Sequence, residues 1–532
     1  MLATYDAIII GAGHNGLVAA CYLARAGRKV LVLERRSVVG GVCTTEELFP
    51  GCKVSTAAYV NGIFQPQIVA DLKLRQYGFD VLERNPSSFT PFLDRRHLLL
   101  SSDQAFNCAQ IAKFSRHDAD AYPRYEDMLN RLAEFIEPTL MEPPPDPLAT
   151  SVGELWQLGQ FGLKARKLGS QLGDLMRIMT GSARSLLDAW FESDALKATL
   201  ATDAIIGAFA APSTPGTAYV LFHHVMGETN GARGVWGYVR GGMGGLTGAL
   251  AAAARAMGVE IVCDSPVERI RVRGNQVEGV VLADGSEVSA PLVLSNADCN
   301  VTFLKLVGEP YLPPDFVAAV KAIRYDSASL KINLLLSEVP DFTACPSATP
   351  APHHRGTIHI CESLDYIERA FDDAKYGRPS REPVLECTIP SVVDESVCPR
   401  GRHLMNLFVQ YAPYELREGD RPGDWDRIKE SFADRCIDVL ARYAPNIRRT
   451  VVSRHVLTPL DLEREFGLTG GNIFQGAMTL DQLLFMRPVP GYARYRTPIQ
   501  GLYLCGAATH PGGGVMGACG YNAAHQALRD GA

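Results

Sequence analysis

The chain has 532 residues, 47% of them apolar, and its 52 basic and 58 acidic side chains leave a net charge of −6. That length allows about three domains at roughly 100–200 residues each, and the charge balance, with no dense Lys/Arg block, excludes a nucleic-acid partner. No apolar run reaches the roughly 18 residues of a membrane-spanning helix, and the 13 scattered cysteines contain no CxxC pair, which excludes a zinc ribbon and reads as a reduced compartment.

The opening stretch, Tyr5 to Gly41, is the most informative. An apolar run from Ala7 to Ile10 enters Gly11-x-Gly13-x-x-Gly16. A small-residue helix is expected from about Asn15 to Ala26, then a second apolar run from Lys29 to Leu33 that ends in Glu34. This order is that of a strand–turn–helix–strand unit for a dinucleotide. Gly11 permits the tight turn, Gly13 lets the backbone approach a pyrophosphate, and Gly16 lets helix and strand pack closely. The helix start carries free N–H groups and about half a positive charge. Glu34, eighteen residues beyond Gly16, is placed to accept from ribose hydroxyls. Because the strand begins within the first ten residues, no leader is expected, and the reading is cytoplasm or, for a processed chain, mitochondrial matrix.

Further along, Asp118 to Ile136 carries a helix-spaced apolar face that includes Tyr122, Tyr125 and Leu129. Residues 151–210 are also helical, and around 161–179 bulky apolars alternate with Lys164, Arg166, Lys167 and Arg177. A cap helix with its charges in water is the favoured reading there. Peripheral membrane contact stays open as the second reading, as does self-association. From about 234 the chain returns to a glycine-rich turn, an alanine-rich helix and a run of short strands between 260 and 295. These are expected to add a third parallel strand and a small meander. Candidate strands at 330–336, 357–360, 384–389 and 403–411 suggest the sheet of a second domain.

The fold class expected is therefore α/β: a discontinuous Rossmann-like domain (1–95, 230–300 and 456–532) with an inserted α+β substrate or cap domain (96–229 and 301–455). Near the end, Gly512-Gly513-Gly514-Val515-Met516-Gly517 repeats the glycine pattern, but the chain stops fifteen residues later. It reads as a glycine-lined helix start facing a flat ligand, not as a second nucleotide site. His510, just before Pro511, is placed as a residue able to move a proton near neutral pH. The histidines at 223–224 and at 353, 354 and 359 lack the spacing of a metal site, so no metal is expected.

The opening GAGHNGLVAACYLARAGRKVLVLERR, the segment Val293 to Asp298 and the closing GLYLCGAATHPGGGVMGACGYNAAH together resemble the phytoene desaturase-like FAD oxidoreductases. Likeness to the β-carotene ketolases is slightly weaker. The resemblance spans about Tyr5 to Leu528. It implies an oxidoreductase with non-covalent FAD, a hydrophobic isoprenoid or carotenoid-like substrate, and, for its nearest branch, an association with mitochondria. It places Gly11, Gly13, Gly16, Glu34, Gly40, Gly41, Val267, Gly506 and Gly517 at cofactor positions and Met516 beside the flavin. Many members carry Arg after the glycine pair where Val42 stands here, so a cofactor contact is expected from Arg35 or Arg240 instead. A catalytic dithiol of Cys43 and Cys52 is disfavoured: on a helix they would lie roughly 13 Å apart, against the ~7 Å a disulfide allows. The alternative to catalysis is a FAD-holding interaction protein acting through partners.

Overall fold

The structure is a computed structural model that describes residues 5–147, 152–229, 231–418 and 421–531. Its first sheet has five parallel strands in the order Glu260–Val262, Val30–Leu33, Ala7–Ile10, Leu292–Ser295 and Leu502–Leu504. Ala7 lies opposite both Val30 and Leu292. Every residue of the three central strands is buried, which is why each reads as an unbroken apolar run instead of an alternation. Ile9, Val32 and Leu294 pack on one face against Leu17, Leu246, Leu250 and Ala523 from three helices, His14–Arg25, Gly244–Ala256 and Ala518–Arg529. Ile8, Leu31 and Val293 pack on the other against Ile270, Phe303 and Phe316. Ile270 belongs to the expected antiparallel meander of Val267–Arg273, Gln276–Leu282 and Glu287–Ser289.

The second sheet has seven strands in the order Val451–Leu457, Ser329–Leu336, His403–Gln410, Val384–Thr388, Thr357–Ile360, Ser88–Pro91 and His97–Leu100. Its pairings are antiparallel except that of Thr357–Ile360 with Ser88–Pro91. Strands 88–91 and 97–100 at one end and the edge strand 451–457 at the other therefore belong to this second sheet. The sequence boundaries at 95 and 456 cut this sheet because its outer strands are supplied by segments that flank the first domain in sequence.

The two faces of this sheet differ in chemistry. Leu330, Ile332, Leu385, Leu407 and Val409 pack with Trp425, Phe432 and Leu440 of helix Trp425–Ala441. The alternate residues form polar rows. Lys331 stands opposite Phe408, Phe408 opposite Glu386, and Glu386 opposite His359. The next row runs Asn333, Asn406, Thr388. This face does not meet bulk water; helices roof it. The helix Arg116–Leu140 contributes Tyr122, Tyr125 and Leu129, and the segments after Asp194–Ala201 and Thr217–Val225 complete the cover.

Helices Val152–Arg166 and Gln171–Thr180 occupy the basic stretch. There Leu155, Trp156, Leu163, Leu172 and Met176 are exposed beside the charges. Among the described residues, no helix is long and apolar enough to cross a membrane.

Candidate functional site

One cavity of about 980 Å³ runs from the glycine turn of the first sheet to the polar face of the second. At the first end it is lined by Gly11, Gly13, Glu34, Gly40, Gly41 and Val267. Gly11 has φ +93° and Gly40 φ +124°, conformations that side chains rarely adopt. A Cβ on Gly13 would stand 2.7 Å from Asn296 Nδ2. Gly13 also caps helix His14–Arg25 without any side-chain acceptor for the helix N–H groups. Gly16 is not part of the wall: a Cβ there would lie 2.2 Å from the Gly11 carbonyl oxygen, the close helix–strand approach its place in the motif demands.

Glu34 ends its strand buried, at 6% exposure. One carboxylate oxygen accepts from Ala12 N at 2.8 Å and the other from Arg36 N at 2.9 Å. The acid thus stiffens the turn it faces and keeps acceptor capacity for a diol, since each oxygen has a second lone pair. His14, on the same wall, has Nε2 buried with no partner; burial pulls its pKa down to about 4, so the ring is neutral. A glycine cradle, uncapped helix N–H groups, a strand-end acid and an orphaned ring nitrogen suit the adenosine diphosphate half of FAD.

Arg35 lines the same end, but its guanidinium donates to the carbonyls of Arg464 and Glu465, the latter at 2.6 Å. It therefore ties the wall to the end of helix Pro459–Phe466. Arg240 is turned outward and pairs with Asp80 at 2.9 Å.

The C-terminal glycine loop requires correction. Gly514 and Val515 reach the cavity, whereas the helix start at Gly517 packs on Phe64 and Ile68. Gly520 lies so close that a Cβ would stand 2.0 Å from Asn15 O. The helix end thus closes on the first helix instead of opening toward a ligand. Met516 is 1% exposed among Ile63, Ala518, Met141 and Trp236 and does not line the cavity. His510 is also outside the wall: Nε2 faces the Thr139 carbonyl at 3.3 Å, and burial lowers its pKa to about 4. Neither residue lines the cavity, although His510 Nδ1 is buried without a partner. Gly506 packs against the Asn296 carbonyl, and its neighbour Ala507 meets the cavity.

The described cysteines are all free thiols, and the disfavoured Cys43–Cys52 dithiol is not formed. Cys43 faces His14 Nδ1 at 3.8 Å, and Cys52 lies 3.2 Å from Cys398. Cys43 and Cys52 do not meet.

The far end of the cavity holds what the sequence reading missed. Arg84 is 4% exposed, donates to Trp236 O and Thr357 Oγ1, and stacks 5.4 Å from the Tyr238 ring centre. Lys331 donates to the carbonyls of Ser55 and Ala57 at 2.9 and 2.7 Å, above the Tyr59 ring. Burial drives its pKa well below the lysine range. Asp203 and Glu386 face the same space. Burial raises Asp203 to about 7 against the pull of Arg84, and burial together with the charge of Asp203 raises Glu386 to about 8. His359 shares Nδ1 with Thr202 Oγ1 at 3.1 Å and is held neutral by burial, at about 3. The available signal was alternation: Ser-Leu-Lys-Ile-Asn-Leu from Ser329 and Val-Leu-Glu-Cys-Thr from Val384 both put polar residues on every second position.

Residues 9–68 match the NAD(P)-binding Rossmann-like domain family. The chain is 48% identical to the rat protein named pyridine nucleotide-disulfide oxidoreductase domain-containing protein 2, covering 99% of this chain and 94% of that one. It is 25% identical to the lycopene-forming phytoene desaturase of Pantoea ananas over 96% of both chains. A solved structure of a putrescine oxidase triple mutant shares the fold, with a TM-score of 0.60 at 17% identity, covering 99% of this chain and 98% of the other. With likeness over nearly its whole length and a cradle that suits the dinucleotide, the chain belongs to the family of pyridine nucleotide-disulfide oxidoreductase domain-containing protein 2 and is an oxidoreductase that uses FAD.

Proposed function

We propose that the chain dehydrogenates an elongated, largely apolar small molecule of isoprenoid type that carries a polar end. The observation that carries this reading is the single cavity joining the glycine cradle to the inner face of the second sheet. Its middle is lined by Leu129, Leu200, Leu221, Val225 and Phe474, which suits an apolar chain. The phytoene desaturase relative supports an isoprenoid class. Lys331, Glu386 and His359 at the far wall favour a molecule that is not wholly hydrocarbon, because buried polar groups are costly unless something pairs with them.

FAD, when bound, supplies a two-electron acceptor for hydride. The protein's part is to hold the substrate in a dry channel and to receive a proton. Lys331 is the candidate acceptor: burial lowers its pKa, and in the deprotonated form two N–H groups stay on the Ser55 and Ala57 carbonyls and leave the lone pair free. The histidines of the wall are weaker acceptors, since burial lowers His359 to about 3 and His224 to about 4.

The deciding experiment is anaerobic bleaching of the FAD-loaded protein, scored against lipid, amine and thiol fractions of an extract. Bleaching by isoprenoid lipids is expected. Bleaching by thiols alone, or by no fraction, overturns the reading.

A further inference from the structure

Building on that reading, we propose that the far end of the cavity is a headgroup subsite for an organic cation, an ammonium group on an apolar chain, held between Asp203 and Glu386.

The two acids arrive from opposite walls. Glu386 rises from the sheet, opposite His359 on one neighbouring strand and Phe408 on the other. Asp203 comes from the helical roof, in the turn after Asp194–Ala201. Both line the cavity, and they are close enough for the charge of Asp203 to act on Glu386. Among the described residues, neither forms an ion pair, and the Asp203 carboxyl accepts no hydrogen bond. Glu386 is met only by the Tyr59 hydroxyl, at 3.5 Å.

An unpartnered donor-acceptor points into the same space. Tyr125 is 2% exposed, lines the cavity, and has no hydrogen-bond partner for its hydroxyl. Ser88 Oγ on the same wall is likewise buried without a partner. Two carboxyls and two hydroxyls thus line one cavity, with a single long hydrogen bond, from Tyr59, and the charge of Arg84 as their partners.

The sign of the missing charge follows from the cations already present. Arg84 spends Nε and Nη1 on Trp236 O and Thr357 Oγ1. Lys331 spends its donors on the Ser55 and Ala57 carbonyls, not on either acid. An ammonium entering between the two carboxyls favours their ionised form, and with Arg84 as the one cation acting on both, the ionised pair takes one further positive charge. Tyr125 and Trp236 add ring faces that attract cations. Glu386 stands two strands from Lys331, about 10 Å at the usual ~4.8 Å spacing, so a chain of several carbons separates the head from the Lys331 end of the wall.

The test uses the FAD-loaded protein and calorimetric titration with three probes of equal chain length: octylamine, octanol and octanoate. Octylamine is expected to bind at least tenfold more tightly than either other probe. Asp203→Asn and Glu386→Gln should each weaken octylamine at least tenfold and leave octanol binding and flavin content unchanged. Tightest binding of octanoate would assign the end to an anion on Arg84 and overturn the proposal. So would octylamine binding that both variants retain. The readout is heat of binding, not turnover, so failure to bleach with any extract overturns the proposed reaction without touching this result.

Discussion

Glu386 and His359 stand directly opposite each other on neighbouring antiparallel strands and face the same roofed cavity. A buried acid and a buried neutral imidazole thus share a wall with Asp203 across from it, in an environment that disfavours charge. Here the two acids titrate as a coupled pair. Their folded pKa values, about 7 and about 8, lie above ordinary carboxyl values. Between about pH 4 and 8 the folded state therefore binds more protons than the unfolded state, so stability falls as pH rises through that window. Each group contributes at most about 1.4 kcal/mol per pH unit. The double variant Asp203→Asn, Glu386→Gln should flatten the decline in melting temperature between pH 5 and 8. An unchanged slope would show that other groups govern it.

Glu34 accepts from Ala12 N and Arg36 N, and we assign it a ribose diol as well. Glu34→Ala is expected to weaken FAD binding by roughly 1.5–3 kcal/mol, the scale of a hydrogen bond to a charged group, or about 10- to 150-fold. Flavin occupancy at limiting FAD reads this directly, and full occupancy would refute the ribose assignment.

Gly16→Ala should act on the fold before the cofactor. The new methyl would meet the Gly11 carbonyl at 2.2 Å in backbone that has no flexible end to move. A loss of about 1–3 kcal/mol is expected from overpacking, seen as a lower denaturation midpoint for the apo-protein. Wild-type stability of that variant would mean the first helix can shift outward freely.

Cys43→Ser and Cys52→Ser are each expected to leave anaerobic flavin reduction intact. Burial pushes the Cys43 thiol up to about 12, which removes the thiolate that a dithiol mechanism needs. Cys52 packs beside Cys398, away from Cys43. Loss of reduction in either variant would restore thiol chemistry to the site.

The cofactor end was legible because its determinants are local. Gly11 to Glu34 folds as one contiguous unit, and each residue type has one backbone reason to be there. Val267 came only with the family resemblance. The substrate end depends on contacts distant in sequence: Lys331, Glu386 and His359 become neighbours only through strand register, and Asp203 joins them from a helical roof. Alternation along Ser329–Asn333 announced a polar face, but not that the face would be covered. His510 and Met516 lie outside the cavity lining for the opposite reason. Their glycine-rich surroundings imply access, yet close packing of Gly520 on Asn15 and of Gly517 on Phe64 turns that loop inward.

The parallel sheet has a consequence for how the chain is made. Leu292–Ser295 sits between Ala7–Ile10 and Leu502–Leu504. Its outer side is therefore unpaired until Leu502–Leu504 is made, long after the strands of the second sheet have been synthesised. A chain stalled or clipped before Leu502 leaves the buried strand Leu292–Ser295 with an open edge, the type of surface that recruits chaperones or aggregates.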